Sequence, residues 1–312
     1  MSGWSTRDIP GQRGRTAVVT GANGGLGYVT ARELARKGAR VVLACRSETR
    51  GREAVRRLRA EVPDAEVEFR SLDLGDLASV REFAAALPYD RLDLLVNNAG
   101  VMAMPYGTTA DGFETQFGVN HLGHFALTGL LLPALLLARD RPAGARIVTV
   151  SSMAHLLGNI DPRDLNSDHG YRRWVAYGRS KTANLLFTHE LARRLAPAGA
   201  GVVAAAAHPG YAATDLQTAG PRAEGRRTAE RLMALGNRVL AQSAEAGALP
   251  ALHAATAPGV RPDSFTGPSR AMWRGAPAPS WRAPWTRDDR AGELLWAASE
   301  ELTGVSYDAL KV

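Results

Sequence analysis

Short runs of apolar, largely β-branched residues alternate with longer amphipathic segments along most of the chain. The apolar runs lie at residues 16–20, 39–44, 65–70, 92–97, 146–150 and 202–207, and each is typical of a β-strand. Because these runs are apolar on both faces, they indicate strands buried within a parallel sheet. The amphipathic segments predict helices at about residues 25–37, 47–61, 77–87, 112–139, 176–195 and 288–302.

The strand–helix alternation predicts an α/β fold with a doubly wound parallel sheet, that is, a Rossmann fold. A chain of 312 residues can form one large core of this kind, and neither an internal repeat nor a low-complexity linker divides it. We therefore expect a single domain. One stretch breaks the alternation, because residues 267–285 are rich in Pro and Trp, and the prolines should keep it from forming regular structure for long.

Composition excludes several classes of protein. The chain is 45% hydrophobic and 22% charged, as soluble globular proteins are. Its longest apolar stretch, residues 125–138, is too short and too close to Pro133 to span a bilayer, and the N-terminus lacks the apolar core of a signal peptide. We expect a cytoplasmic protein with no membrane span.

Charge and cysteine content indicate which ligands and which kinds of site to expect. The net charge is +7, but the arginines are scattered among acidic residues without interleaved aromatic residues, so we expect no nucleic-acid partner. The modest positive field would still attract a phosphorylated cofactor. Cys45 is the only cysteine and no Cys/His cluster has metal-ligand spacing, which excludes an internal disulfide and predicts no metal site.

Four glycines fall within eight residues, TGANGGLG at residues 20–27, directly between the first predicted strand and the first predicted helix. In a doubly wound sheet, ligands bind beyond the carboxyl ends of the strands. Glycines at this turn let the backbone approach a pyrophosphate, and the free N–H groups at the helix N-terminus face the anion. The turn therefore predicts dinucleotide binding.

Seven motifs, in order along the chain, carry a resemblance to a known family. They are T-G-x-x-x-G-x-G from Thr20, the pair Asp73 and Leu74, NNAG at residues 97–100, Asn120 in GVNHLGHF, VSS at residues 150–152, Y-x-x-x-K at Tyr177 and Lys181, and PGYAAT at residues 209–214. With these motifs the chain resembles the short-chain dehydrogenase/reductase family from about residue 15 to residue 214. The residues within these motifs are most similar to those of the retinol-dehydrogenase-like and protochlorophyllide-reductase-like branch of the family, in its soluble bacterial form.

The end of the second predicted strand indicates which dinucleotide binds. NAD sites usually carry an acidic residue there, which hydrogen-bonds the ribose 2′-hydroxyl. Here Cys45 is followed by Arg46, whose guanidinium suits a 2′-phosphate, so we predict NADP(H). Together with the residues that the resemblance implies, the predicted cofactor-binding set is Gly21, Asn23, Gly24, Gly25, Leu26, Gly27, Arg46, Asp73, Leu74, Asn98, Ala99, Gly100, Tyr177, Lys181, Pro209, Gly210 and Thr214.

Hydride transfer to a carbonyl leaves an oxyanion that needs a proton donor. Tyr177 and Lys181 are four residues apart on a predicted helix, so their side chains share one face. The ammonium should favour the ionised phenol and lower its pKa, which makes Tyr177 our candidate general acid. The resemblance implies two further catalytic residues: Ser152, chosen over Ser151, on the substrate carbonyl, and Asn120, holding a water beside Lys181. His121 and His124 are expected to be packing residues.

Ser152 and Tyr177 are 25 residues apart, farther than in the commonest members of the family. The extra residues should form a loop that makes one wall of the substrate pocket. His155, Leu156, Leu157 and Trp174 are candidates to line it, with packing on the solvent side an equal alternative for each. Residues 211–247, with the stretch around Met272, Trp273, Trp281 and Trp285, should cover an apolar substrate cleft.

These features predict an NADP(H)-dependent oxidoreductase that reduces an apolar ketone or aldehyde to an alcohol, or catalyses the reverse. Residues 15–214 would form the cofactor and catalytic core of the single domain, 1–312, and residues 211–285 the substrate-covering segments. Two alternatives stay open, an NAD-linked alcohol dehydrogenase and a non-catalytic NADP-binding sensor, although such sensors usually lack the Tyr or the Lys. A homo-oligomer is also open, and no motif indicates the physiological substrate.

Overall fold

The computed structural model describes residues 3–141, 144–197, 201–211 and 242–311. Its strands in chain order are β1 Thr16–Thr20, β2 Arg40–Cys45, β3 Val67–Ser71, β4 Leu94–Asn97, β5 Ala145–Val150, β6 Val202–Ala207, β7 Phe265–Arg270 and β8 Arg274–Pro279. Within the described residues they form one eight-stranded sheet in the order β3-β2-β1-β4-β5-β6-β7-β8. Neighbouring strands are parallel except β7 and β8, which are antiparallel.

Helices cover both faces of this sheet. In chain order they are α1 Gly25–Arg36, α2 Glu48–Glu61, α3 Leu77–Ala85, α4 Thr115–Phe117, α5 Gly123–Leu136, α6 Arg173–Leu195, α7 Ala244–Thr256 and α8 Asp289–Thr303. One core contains α1, α2 and α7, and the other contains α3, α5, α6 and α8. Successive residues of a strand point to opposite faces, so Val18 lies in one core and Val19 in the other. This arrangement confirms the predicted doubly wound fold.

The order of the strands places a crevice at one edge of the sheet. β2 and β3 lie on one side of β1, whereas β4, β5 and β6 lie on the other. In such sheets the ligand site lies beyond the carboxyl ends of the strands at this switch point. The segments that follow β1, β2, β4, β5 and β6 therefore converge there, and these segments contain most of the predicted site residues.

The structure corrects the prediction for the C-terminal third of the chain. The Pro/Trp-rich stretch forms the hairpin of β7 and β8, although we expected little regular structure in it. The prolines are tolerated because β8 lies at the edge of the sheet and the ladder is irregular between Pro268 and Arg270. Helix α7 was not predicted because it is apolar on most sides and buried, so it lacks an amphipathic period.

One helical run in the described part of the chain, Thr115–Leu136, is long and apolar enough to cross a membrane by length and composition. Its mean hydropathy is 1.3 over the most apolar window, and 72% of that window is buried inside the protein. The core helix of a globular fold has the same properties, so this run is weak evidence for a membrane span.

Candidate active site

The glycine-rich turn between β1 and α1 forms one end of the crevice. Gly21 has a φ of +65°, and a Cβ there would lie 2.9 Å from the Cα of Ala99. A Cβ on Gly27 would lie 2.5 Å from the carbonyl oxygen of Gly21. Gly24 begins α1 without a side-chain cap. The first N–H groups of α1 are therefore left to bind a ligand anion, and the backbone can approach it closely.

Thr20 ties this turn to the NNAG turn that follows β4. Its hydroxyl oxygen accepts hydrogen bonds from the backbone N–H groups of Asn98 and Ala99, each at 2.9 Å. Its carbonyl oxygen accepts another from Nδ2 of Asn98 at 2.7 Å. Asn98 thus lines the cleft while its side chain holds the two turns together. We did not predict Thr20 as a site residue, although its place directly before Gly21 in the motif was a usable signal.

Two arginines lie at the edge of the crevice beyond β2. Arg46 is exposed, and its Nη1 lies 3.8 Å from Oδ2 of Asp73. An exposed pair at this distance contributes little free energy, so Arg46 can turn toward a ligand. Nη2 of Arg50 lies 3.9 Å from where a Cβ on Gly24 would be. Arg50 and Ser47, the N-cap residue of α2, also line the cleft, and the prediction missed both.

Tyr177 and Lys181 project from one face of α6 and are only 5% and 3% exposed. Nζ of Lys181 lies 5.7 Å from the ring centroid of Tyr177 and donates to the carbonyl oxygen of Val150 at 3.2 Å. Burial raises the pKa of Tyr177 to about 12 and lowers the pKa of Lys181 to about 8. At neutral pH the phenol therefore holds its proton and most of the lysine is charged.

The pKa of Tyr177 moves opposite to our expectation that Lys181 would lower it. Both side chains are removed from water, and desolvation disfavours the charged form of each. The ammonium is directed at the Val150 carbonyl, and the hydroxyl of Ser152 is the group that opposes the rise in the phenol pKa.

The two serines after β5 have different roles. Ser151 is buried, and its hydroxyl donates to the carbonyl oxygen of Lys181 at 2.8 Å. Ser152 is half-buried and lines the cleft. Its hydroxyl oxygen accepts the Ala154 N–H at 3.1 Å, and the same hydroxyl lies close enough to Tyr177 to oppose the rise in the phenol pKa. Of the two hydroxyls, the one on Ser151 is therefore already bound to the backbone of α6, and the role of Ser152 stays a prediction.

Asn120 lies in a π-helical turn, Gly118–Leu122, that leads into α5. Its side chain accepts from the Val101 N–H at 2.8 Å and donates to the Val101 carbonyl and to Oγ of Ser180, each at 2.9 Å. Oγ of Ser180 in turn donates to the carbonyl oxygen of Tyr177 at 2.8 Å. Asn120 is fully buried and connects the NNAG segment to the helix that carries Tyr177. π-Turns of this kind are frequent at functional sites.

His121 and His124 are buried, in agreement with the packing role that we expected. The ring of His121 lies 2.9 Å from Oγ of Ser299. The two ring nitrogens of His124 lie 2.9 Å from Oγ1 of Thr20 and 3.0 Å from the carbonyl oxygen of Asn120. His124 therefore also connects the glycine-rich turn to the π-turn.

These segments enclose one cleft of about 1020 Å³. The predicted cofactor-binding residues within the described part of the chain all line it, as do Ser152, Tyr177 and Lys181. Asn120 lies just behind the lining residues and close to Gly100. A Cβ added to Gly100 would lie 3.0 Å from Oδ1 of Asn120 and 3.6 Å from Nζ of Lys181. Thr214 lies outside the described residues.

The end of the cleft away from the glycine-rich turn is mostly apolar. Its lining comes from the residues after NNAG, the loop before α6 and the start of α6, the turn after β6 and the C-terminal hairpin: Val101, Met102, Met104, Met153, Ala154, Leu156, Leu157, Trp174, Tyr211, Met272 and Trp273. The insertion between Ser152 and Tyr177 therefore does form a wall of the cleft.

Part of the predicted lining is wrong. His155 is fully buried behind Ser152, because both of its ring nitrogens are bound to backbone groups. Trp281 is 56% exposed, and neither it nor Trp285 is among the described residues that line the cleft. They follow β8, which has already carried the chain past the cleft. Most of residues 211–247 lies outside the described residues.

Comparisons with known proteins indicate the same family as the sequence motifs do. The family model described as short chain dehydrogenase matches residues 15–225. Retinol dehydrogenase 12 of Homo sapiens is 43% identical over 303 residues, which cover 95% of this chain and 88% of that protein. An uncharacterized protein from Mycobacterium paratuberculosis, whose crystal structure is known, is 45% identical in sequence to this chain. The two structures match with a TM-score of 0.79 over 98% of this chain and 99% of that chain. A variant of the actinorhodin polyketide ketoreductase with NADPH is 25% identical, with a TM-score of 0.59 and coverage of 82% and 94%.

The family match covers more than half of the chain and includes the glycine-rich turn, Ser152, Tyr177 and Lys181. The similarity to retinol dehydrogenase 12 extends beyond this range into the C-terminal third. The chain therefore belongs to the short-chain dehydrogenase family, in which it is a retinol-dehydrogenase-like oxidoreductase that acts on alcohol or carbonyl groups.

Proposed function

We propose that this protein catalyses the NADP(H)-dependent reduction of an apolar ketone or aldehyde to an alcohol, or the reverse oxidation. The observation that carries the proposal is that Tyr177, Lys181 and Ser152 open into the same cleft as the glycine-rich turn. This cleft can hold a dinucleotide at one end and an apolar substrate at the other, with a proton donor between them.

A dinucleotide fits the glycine-rich end on two grounds. The tight turn requires glycine, since Cβ atoms at Gly21 and Gly27 would collide with Ala99 and with the Gly21 carbonyl, and the N-terminus of α1 has no side-chain cap. The nicotinamide would supply the hydride. The rest of the chemistry belongs to the residues of the chain itself.

Three side chains would then act on the substrate oxygen. Ser152 would donate its hydroxyl proton in a hydrogen bond to the carbonyl oxygen. Tyr177, protonated at neutral pH because burial raises its pKa to about 12, would transfer its proton to that oxygen as negative charge develops. The ammonium of Lys181, on the same face of α6, would stabilise the phenolate that remains.

A preference for NADP(H) over NAD(H) is supported by the edge of the cleft beyond β2. Cys45 occupies the position where a carboxylate would bind the ribose of NAD. Arg46 and Arg50 both line the cleft there, and Ser47 caps the N-terminus of α2 beside them. Two guanidinium groups and a helix N-terminus together favour a 2′-phosphate.

Replacing Arg46 with Ala is expected to weaken NADPH binding by about 1.5 to 3 kcal/mol, the free energy of a charge-assisted hydrogen bond. The affinity for NADH should change little, because NADH has no 2′-phosphate. Titration of both cofactors by fluorescence measures this difference.

Arg52→Ala is the matched control for this test. Arg52 is an exposed arginine in α2, the helix that follows Arg46, and it pairs with Glu48; it is not among the described residues that line the cleft. Its loss should leave both affinities unchanged. If Arg46→Ala weakens NADPH and NADH binding equally, Arg46 does not select the 2′-phosphate.

The apolar end of the cleft supports a hydrophobic substrate. Leu156, Leu157 and Trp174 line it from the insertion, and Met272 and Trp273 line it from the hairpin. Methionines adapt to irregular shapes, and aromatic rings offer large contact areas. We infer that turnover increases with the apolar area of the carbonyl substrate.

Initial rates with NADPH, NADH, NADP⁺ and NAD⁺ test the proposal, against a panel of ketones, aldehydes and alcohols graded in apolar length. We expect NADPH to give the fastest reduction and longer apolar carbonyls to have the higher kcat/KM. Faster rates with the NAD⁺/NADH pair would favour an NAD-linked alcohol dehydrogenase. Tight NADPH binding without turnover of any member of the panel would favour a sensor.

A further inference from the structure

The chain passes behind the active site after it leaves β8. This C-terminal segment, residues 280–283, does not line the cleft in the part of the chain that is described. It is held in place by Arg282, whose Nη2 lies 2.5 Å from Oδ2 of Asp263. The backbone N–H of Asp263 donates to the carbonyl oxygen of Ala204 in β6 at 2.9 Å. The C-terminal segment is therefore fixed to the central sheet, although it follows the catalytic motifs by about a hundred residues.

His155 joins the C-terminal segment to the catalytic serine. Nε2 of His155 accepts the backbone N–H of Ala283 at 3.1 Å, and Nδ1 lies 2.7 Å from the carbonyl oxygen of Ser152. A backbone N–H can only donate and a carbonyl oxygen can only accept. The imidazole is therefore neutral, with its proton on Nδ1, and it holds the peptide that follows Ser152.

His208 makes the corresponding connection to the turn after β6. Nδ1 of His208 accepts the backbone N–H of Gly210 at 3.2 Å, and Nε2 lies 2.8 Å from Oγ of Ser280. Its proton is therefore on Nε2, which donates to Ser280 and makes this ring the opposite tautomer from His155. A Cβ on Gly267 would lie 1.9 Å from Nε2, so the hairpin leaves room for this ring.

The surroundings of the two rings are consistent with their neutrality. Both are buried, and both pack on Phe265, at centroid distances of 5.9 Å for His155 and 4.9 Å for His208. Burial lowers the pKa of His155 and lowers that of His208 to about 4. Each ring therefore presents one fixed donor and one fixed acceptor at neutral pH.

We propose that His155 and His208 are positioning residues through which the C-terminal segment holds two parts of the active site, Ser152 and the Gly210 turn. The inference rests on the proposed function, because Ser152 acts on the substrate carbonyl and Gly210 lies at the cofactor. Small displacements of such groups are costly, since about 1 Å can reduce a rate a hundredfold. Each histidine controls a different kinetic quantity.

The two positions should separate catalysis from cofactor binding. His155→Leu removes the bonds to Ser152 and Ala283, and we expect kcat to fall about ten- to a hundredfold while NADPH affinity stays within about twofold of that of the unmodified protein. His208→Leu removes the bonds to Gly210 and Ser280. We expect it to weaken NADPH binding about tenfold, the scale of one lost buried hydrogen bond, and to change kcat little at saturating NADPH.

Asparagine at either position is the rescue variant. Its side-chain amide can place a donor beside the Ser152 carbonyl or an acceptor beside the Gly210 N–H, in place of Nδ1. We expect His155→Asn to recover most of the lost kcat and His208→Asn most of the lost affinity. His253→Leu is the control, because His253 packs on Trp4 and is not among the described residues that line the cleft. It should change neither quantity, at a temperature where every variant is folded by circular dichroism.

A spectroscopic measurement tests the proposal without any activity. Nitrogen-15 NMR of the histidine rings at pH 7, on the protein without added cofactor, should show His155 protonated on Nδ1 and His208 protonated on Nε2. The same tautomer in both rings, or a charged ring at either position, would overturn the proposal. So would Leu variants that lower kcat and affinity together, or Asn variants no better than Leu. Unmodified protein that binds no NADPH and reduces no carbonyl, with the expected tautomers present, would refute the proposed function instead.

Discussion

Replacing Tyr177 with Phe is expected to lower kcat for carbonyl reduction by about a hundred- to ten-thousandfold, the range of general acid catalysis. The change removes one hydroxyl from a residue that is 5% exposed, so the developing alkoxide loses its proton donor. The fold and the phosphate site at the glycine-rich turn should survive, so the variant should still bind NADPH. Single-turnover rates with any carbonyl that the unmodified protein reduces, together with a fluorescence titration of NADPH, measure both quantities.

Tyr89→Phe is the control for the loss of a tyrosine hydroxyl. The hydroxyl of Tyr89 donates to Oε1 of Glu68 at 2.9 Å, and Tyr89 is not among the described residues that line the cleft. This variant should retain full activity. A Tyr177→Phe variant with kcat within a few-fold of that of the unmodified protein, at unchanged NADPH affinity, would remove Tyr177 from the mechanism.

Lys181→Ala is expected to lower both kcat and NADPH affinity. By the resemblance to the family, the ammonium would hold the nicotinamide-ribose hydroxyls and would also stabilise the phenolate. We expect kcat to fall at least about a hundredfold. Loss of one charge-assisted hydrogen bond, about 1.5 to 3 kcal/mol, should weaken NADPH binding about ten- to a hundredfold. The same kinetic and titration measurements as for Tyr177→Phe apply.

Lys181→Met separates the charge from the packing of the lysine stem. Methionine fills most of the same buried volume without an ammonium, so its defects in kcat and affinity should match those of Lys181→Ala. The carbonyl of Val150 keeps a partner in both variants, because Nδ2 of Asn184 also donates to it at 3.2 Å. Near-normal turnover by Lys181→Met would show that the charge is not needed. Tyr177→Phe and Lys181→Ala together therefore distinguish proton donation from cofactor placement.

The arrangement of side chains at the site was largely predictable where the groups lie close together in sequence. Thr20 and the glycines after it lie within one turn, and Tyr177 and Lys181 are one helical turn apart on α6. Such spacings fix the relative position of side chains once the local structure is known. The apolar runs of the strands predicted the sheet for the same reason, since burial on both faces leaves a direct pattern in the sequence.

Two parts of the prediction failed where neighbouring segments decide the outcome. The pKa of Tyr177 rises because tertiary burial removes water from both the phenol and Lys181. No sequence spacing reports the depth of burial or the direction of the ammonium. Arg50 was missed because its guanidinium reaches Gly24 only after α2 packs beside α1.

The sequence alone determined the α/β class, the dinucleotide turn, and the pairing of Tyr177 with Lys181, because each depends on periodicity or spacing within a few residues. Only the tertiary structure showed that β7 and β8 extend the sheet, that His155 lies behind Ser152, and that Trp281 faces solvent. These features depend on contacts between residues far apart in the chain. Burial and hydrogen bonds to particular backbone groups stabilise these contacts. A pattern along the sequence does not show which distant segment provides the buried surface or the hydrogen-bond partner.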